Sequence, residues 1–108
     1  NPDWVESELT QRRDIAQAFV YGEAMPHNHA LLWPHRADCS NAELATAVAE
    51  ANAALPDYAQ VHRWTRLPQP FTAANGLLTA NGRPRREAIV AQYHAQLTES
   101  IVSRESAS

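Results

Sequence analysis

The stretch Ser40-Asn41-Ala42-Glu43-Leu44-Ala45-Thr46-Ala47-Val48-Ala49-Glu50-Ala51-Asn52-Ala53-Ala54-Leu55 is the most informative in this chain. Ser40 and Glu43 stand three apart, the spacing at which a hydroxyl and a carboxylate cap each other's backbone N–H groups at a helix start. Leu44, Ala47, Val48, Ala51 and Leu55 then recur at three- and four-residue intervals, so the pattern predicts an amphipathic helix over Asn41 to Ala54. Pro56-Asp57 ends it. Upstream, Ala30-Leu31-Leu32-Trp33 reads as a strand stopped by Pro34. Before that, Ile15 to Tyr21 is rich in β-branched and aromatic residues and closes at Gly22. Its apolar groups point to both faces, which predicts a central strand. Glu23 to Asn28, with Pro26, reads as a hairpin-like connection.

The chain opens on Asn1-Pro2, a capping residue followed by the imino acid suited to the first helical position. The spacing puts Trp4, Val5 and Leu9 on a buried face, with Glu6, Glu8, Arg12 and Arg13 toward water and the helix ending near Arg13. Downstream, Ala59 to Leu67 reads as a third strand with Val61 and Trp64 turned inward. Pro68 and Pro70 end it, and Phe71 tucks inward as an anchor. Asn75-Gly76 and Asn81-Gly82 are turn dipeptides around Leu77-Leu78. Pro84 can open a last helix whose Ile89, Tyr93, Leu97 and Ile101 form an i, i+4 stripe. Helix, strand, strand, helix, strand, helix is the order. It predicts a small two-layer α+β domain over residues 1–102, a three-stranded sheet with three helices, and a polar tail over 103–108.

A length of 108 residues suits one domain without a deep substrate cavity. Hydrophobic residues at 44% and charged residues at 19% argue against disorder. Nine basic against twelve acidic residues give a formal charge of −3, unsuited to a strongly basic nucleic-acid binder. All nine basic residues are arginine. The first residues lack the charged and apolar regions of a signal peptide and an initiator Met, which suggests a piece of a longer polypeptide. Cys39, the single cysteine, excludes an internal disulfide and fits a reducing cytoplasm.

Three places could carry chemistry. His27, His29, His35 and Cys39 lie close in sequence, but their spacing has none of the paired ligands of a tight zinc site, and surface histidines explain them. No Gly-x-Ser-x-Gly elbow is present, and packing beside a helix cap explains Cys39. The third place is Asn75 to Arg86, which gathers Thr79, Arg83, Arg85 and Arg86 about a Gly turn leading into a helix. Guanidinium forks and unpaired helix-start N–H groups both favour phosphate or carboxylate. The plainer alternative is a charged loop and a solvated first turn.

Those residues also carry a likeness. From Asn1 to about Ile101 the chain resembles the small C-terminal domain of AMP-forming acyl-CoA synthetases, within the adenylate-forming superfamily. Asn1 to Leu9 resembles the helix after the interdomain hinge; Ile15 to Gly22 and His29 to Pro34 resemble the next strands. Pro70-Phe71-Thr72, Asn75-Gly76-Leu77-Leu78-Thr79, Arg83 and Arg86 are most like the long-chain branch. The resemblance implies a mobile lid beside a larger domain that binds ATP, with Mg, and a fatty or other carboxylic acid. An acyl-adenylate forms there and passes to CoA or a carrier-protein pantetheine. It implies that the enzyme is cytoplasmic and can sit at a lipid surface. The family pattern Thr-x-x-x-Lys-x-x-Arg reads here as Thr79-Ala80-Asn81-Gly82-Arg83-Pro84-Arg85-Arg86, so Arg83 occupies the lysine position. The resemblance therefore implies Arg83 as the group entering the adenylation site. Gly82 would permit close approach, with Thr79 and Arg86 shaping the loop. Alone, these 108 residues are expected to be inactive. The alternative is a degenerate, non-catalytic domain kept as an interaction or regulatory module.

Overall fold

A computed structural model of the chain describes residues 2–22 and 27–98. Two compact units divide at Pro70 and Phe71. In the first, α1 (Pro2–Thr10) leads to β1 (Ile15–Tyr21) and β2 (Asn28–Pro34). Helix α2 (Asn41–Ala53), a 3₁₀ turn (Asp57–Ala59) and β3 (Val61–Arg66) come next. The sheet order is β1-β2-β3. β1 and β2 pair antiparallel, Phe19 opposite Leu31 and Val20 opposite Ala30, with a bulge between Ile15 and Gln17. β2 and β3 are parallel, Ala30 opposite Trp64, because α2 carries the chain back across the sheet between them.

Val5 and Leu9 of α1 and Leu44, Ala47, Val48 and Ala51 of α2 bury against Val20, Ala30, Leu32 and Val61 of the sheet. That is the two-layer core, and the i, i+3, i+4 spacing of α2 is its source. The capping box forms as its spacing dictates: the Glu43 N–H donates to Ser40 Oγ at 3.1 Å, and the Ser40 N–H donates to the Glu43 carboxylate at 2.8 Å.

Several expectations are corrected. β1 is an edge strand; β2 lies in the middle. A carboxylate expected to face water explains how the edge is tolerated. Glu6 is buried and accepts the Val20 N–H at 2.7 Å, so α1 ties down the edge strand through a side chain. This rotates the helix, and Trp4 stays 42% exposed. α1 ends at Thr10, before Arg13: the Thr10 hydroxyl donates back to the Glu6 and Ser7 carbonyls, and an Arg12-to-Ile15 turn feeds β1. The third strand starts at Val61, since Asp57–Ala59 coil into the 3₁₀ turn, and Trp64 is only half-buried. Of the connection from Glu23 to Asn28, residues 23–26 lie outside the described residues.

The second unit carries Phe71, Leu77, Ile89, Tyr93 and Leu97 as buried residues, with the Phe71 and Tyr93 rings edge-to-face at 6.4 Å. The expected single last helix is two: α3 (Arg86–Gln92) and α4 (His94–Thr98). Tyr93 leaves helical geometry at φ −109°, ψ 22°, although its N–H still reaches the Ile89 carbonyl at 2.9 Å. Helix α3 opens at Arg86 rather than at Pro84, which is drawn into a bridge with Leu78. Ile101 and the tail over 103–108 fall outside the described residues.

Candidate functional site

The segment from Thr72 to Arg86 is two successive turns. In the first, the Thr72 N–H donates to Asn75 Oδ1 and the Asn75 N–H donates to Thr72 Oγ1, both at 3.0 Å. The Leu77 N–H adds a 3.2 Å bond to the same Asn75 oxygen, and Gly76 takes φ +81°. A residue with a Cβ resists that conformation, so glycine is placed there by backbone geometry. Leu77 is thereby turned inward.

The second turn is a short hairpin. Leu78 bridges Pro84, the Thr79 N–H donates to the Arg83 carbonyl at 2.8 Å, and the Gly82 N–H donates to the Thr79 carbonyl at 2.9 Å. Ala80-Asn81-Gly82 is the loop, and Gly82 at φ +84° supplies the left-handed residue such three-residue loops require. A Cβ on Gly82 would meet nothing within 4 Å, so the constraint there is conformational and not spatial. Thr79 Oγ1 accepts the Arg83 N–H at 3.1 Å, a second clasp across the turn.

This geometry sorts the four residues singled out in the sequence. Thr79 closes the hairpin, Gly82 turns it, and Arg83 stands next with its side chain exposed. Among the described residues, Arg83 makes no side-chain hydrogen bond or ion pair, so its guanidinium is available to an outside anion. Arg86 is half-buried in the first turn of α3. Arg85, unlike Arg83, has its side chain engaged. Its guanidinium donates to the Gly76 carbonyl at 3.0 Å and its N–H to the Leu77 carbonyl at 2.9 Å, strapping the hairpin to the first turn. Charge counting alone groups Arg85 with Arg83 and Arg86 and does not reveal this contact. The reciprocal Thr72–Asn75 pair escapes a reading of turn dipeptides, although its i, i+3 spacing is that of a capping box.

Elsewhere the chemistry is quiet. Cys39 is buried, and burial first, then the nearby Asp14 and Glu43 carboxylates, push its thiol above the ordinary range. His27 lies against His62 with the rings tilted and their centres 4.2 Å apart, and His35 is exposed, but His29 is not the expected surface histidine: it is buried in β2 and hydrogen-bonded to Thr65 at 2.8 Å, so the three occupy separate environments. Among the described residues, no group of three or more His, Cys, Asp or Glu is arranged to hold a metal ion. Nor is any described helix long and apolar enough to cross a membrane.

The sequence profile of the AMP-binding enzyme C-terminal domain matches residues 1–105. The chain belongs to this family. No curated protein matches it. Solved structures do. The adenylation domain of carboxylic acid reductase from Segniliparus rugosus, in complex with AMP and a co-purified carboxylic acid, superposes with a TM-score of 0.81 at 19% identity, over 95% of this chain and 18% of that one. The corresponding domain from Mycobacterium chelonae gives 0.77 at 22% identity, over 88% and 17%. An acyl-CoA synthetase from Brucella canis gives 0.65 at 20%, over 88% and 18%. At these identities the likeness is one of fold. This AMP-binding enzyme C-terminal domain spans less than a fifth of each of those chains.

Proposed function

We propose that this domain is the mobile lid of an AMP-forming acyl-CoA synthetase of the long-chain type, and that Arg83 is the cation it delivers to the adenylation site. In the first half-reaction a carboxylate oxygen attacks the α-phosphorus of ATP and pyrophosphate leaves. In the second, a thiol displaces AMP from the acyl-adenylate. Negative charge concentrates on the α-phosphate oxygens during the attack, and a positioned cation there lowers the barrier. The observation that carries the reading is the exposed, unpaired Arg83 guanidinium on a hairpin fixed by the Thr79 and Gly82 hydrogen bonds. The larger domain would bind ATP and its Mg. Thr79 and Gly82 would set the loop, with Arg86 anchoring its exit.

Arginine keeps the charge of the family's lysine but spreads it over a planar fork. The consequence is a working but slowed first half-reaction. The acceptor is CoA, with a carrier-protein pantetheine as the alternative.

ATP–pyrophosphate exchange by the full-length protein, across short to long carboxylic acids, tests the proposal. Acid-dependent exchange is expected in the native enzyme, several-fold higher in Arg83→Lys and lower by about a hundredfold or more in Arg83→Ala, the usual cost of removing a charge-stabilising donor. Exchange in neither the native protein nor Arg83→Lys, with any acid, would replace this reading with a non-catalytic interaction module.

A further inference from the structure

Two Asn-Gly dipeptides sit in one stretch, Asn75-Gly76 and Asn81-Gly82. An Asn followed by Gly is where the following backbone nitrogen meets least obstruction in attacking the side-chain carboxamide. We propose that Asn81 is a site of spontaneous succinimide formation and deamidation in the folded protein, and that Asn75 is protected. The Gly82 nitrogen forms a bond to Asn81 Cγ, the Cγ–Nδ2 bond breaks, and ammonia leaves with the proton the backbone nitrogen gives up. Water then opens the five-membered imide at either carbonyl, leaving aspartate or isoaspartate. Asparagine plus water becomes the acid plus ammonia, with no oxidant or reductant.

The structure separates the two sites by their side chains. Asn75 Oδ1 accepts the Thr72 N–H at 3.0 Å and the Leu77 N–H at 3.2 Å, so its carboxamide is held in place and must break both bonds before it can swing into reaction. The carboxamide of Asn81 makes no hydrogen bond among the described residues, and both Asn81 and Gly82 are exposed. Gly82 also has open space where a Cβ would stand. The attacking nitrogens do not distinguish the sites: the Gly82 N–H is held by the Thr79 carbonyl at 2.9 Å and the Gly76 N–H by the Ala73 carbonyl at 3.1 Å. Each turn must open for reaction, and only Asn75 must also give up its side-chain bonds. The product at position 81 carries a carboxylate two residues before Arg83. The isoaspartyl form adds a methylene to a backbone loop closed by the Thr79–Arg83 pairing.

Incubating the full-length protein at mildly alkaline pH and mapping its peptides by mass spectrometry tests this. Deamidation adds about one mass unit, and isoaspartate is read by its altered fragmentation. In the folded protein, Asn81 is expected to convert about tenfold faster than Asn75, the factor that breaking two hydrogen bonds imposes. In urea the two rates should converge, and Asn81→Gln should remove the fast site alone. Equal rates in the folded state, or a faster Asn75, would overturn the proposal. So would conversion at both sites in urea and at neither in the folded protein.

Discussion

At the scale of single residues, the loop that presents Arg83 depends on one backbone conformation and one strap. Gly82 holds φ +84° with empty space around it, so Gly82→Ala is penalised by the left-handed backbone alone. That penalty is about 1–2 kcal/mol, roughly tenfold in the population of the correct turn. With Arg83 in the proposed role, adenylation should therefore fall by about tenfold in the variant while urea unfolding of the protein shifts by no more than about 2 kcal/mol. A loss of activity matched by general unfolding would contradict this. Arg85→Ala should act more weakly, because it removes only the 3.0 Å bond to the Gly76 carbonyl. Cys39 gives a test in the other unit. Its buried thiol, held neutral by burial and by Asp14 and Glu43, should label slowly with a thiol reagent at neutral pH and rapidly in urea. The part of this loop legible in the sequence owes its legibility to locality. The Gly turn and the position of Arg83 are encoded within eight neighbouring residues, Thr79 to Arg86. The partner of Arg85 lies nine residues back, beyond what spacing reveals.

At the scale of elements, α2 is legible because its cap and its apolar stripe are both written in its own residues. Ser40→Ala should cost about 1 kcal/mol in urea unfolding. The Glu43 side of the box makes a pH prediction. Bonds from the Ser40 N–H and then its hydroxyl, with Arg36 adding a smaller attraction, hold the Glu43 carboxyl below the ordinary range. A carboxylate with a lowered folded-state pKa contributes its stability fully above the unfolded pKa and loses it as pH falls through the folded one. The stability gap between the native protein and Glu43→Gln should thus shrink from about pH 6 to about pH 3, and a widening gap would contradict the capping role. The elements that sequence misjudges are those settled by distant partners. β1 reads as central on composition, yet Glu6, fourteen residues before Val20, reaches over and makes its edge position tolerable. The break at Tyr93 is hidden because the stripe of Ile89, Tyr93 and Leu97 runs through it undisturbed. The Tyr93 hydroxyl is buried with no partner among the described residues, so Tyr93→Phe should leave thermal stability unchanged or raise it by up to about 1 kcal/mol.

At the scale of the molecule, the two units divide the labour. The first, through Pro70, holds the helix-on-sheet core, and the second, from Phe71, holds the loop that carries Arg83. Leu44→Ala, at a site with no exposure, should cost about 2–5 kcal/mol, a large share of any small domain's stability. Arg83 variants should cost almost nothing, since that side chain is exposed and pairs with no carboxylate among the described residues. If Arg83 is the delivered cation, it serves the first half-reaction and not the second. The decisive experiment supplies the full-length enzyme either with acid and ATP or with pre-formed acyl-adenylate, and monitors thioester formation in both. Arg83→Ala should lose about a hundredfold or more in the first case and stay within a few-fold of native in the second. Equal losses from both starting points, or none from either, would contradict that role.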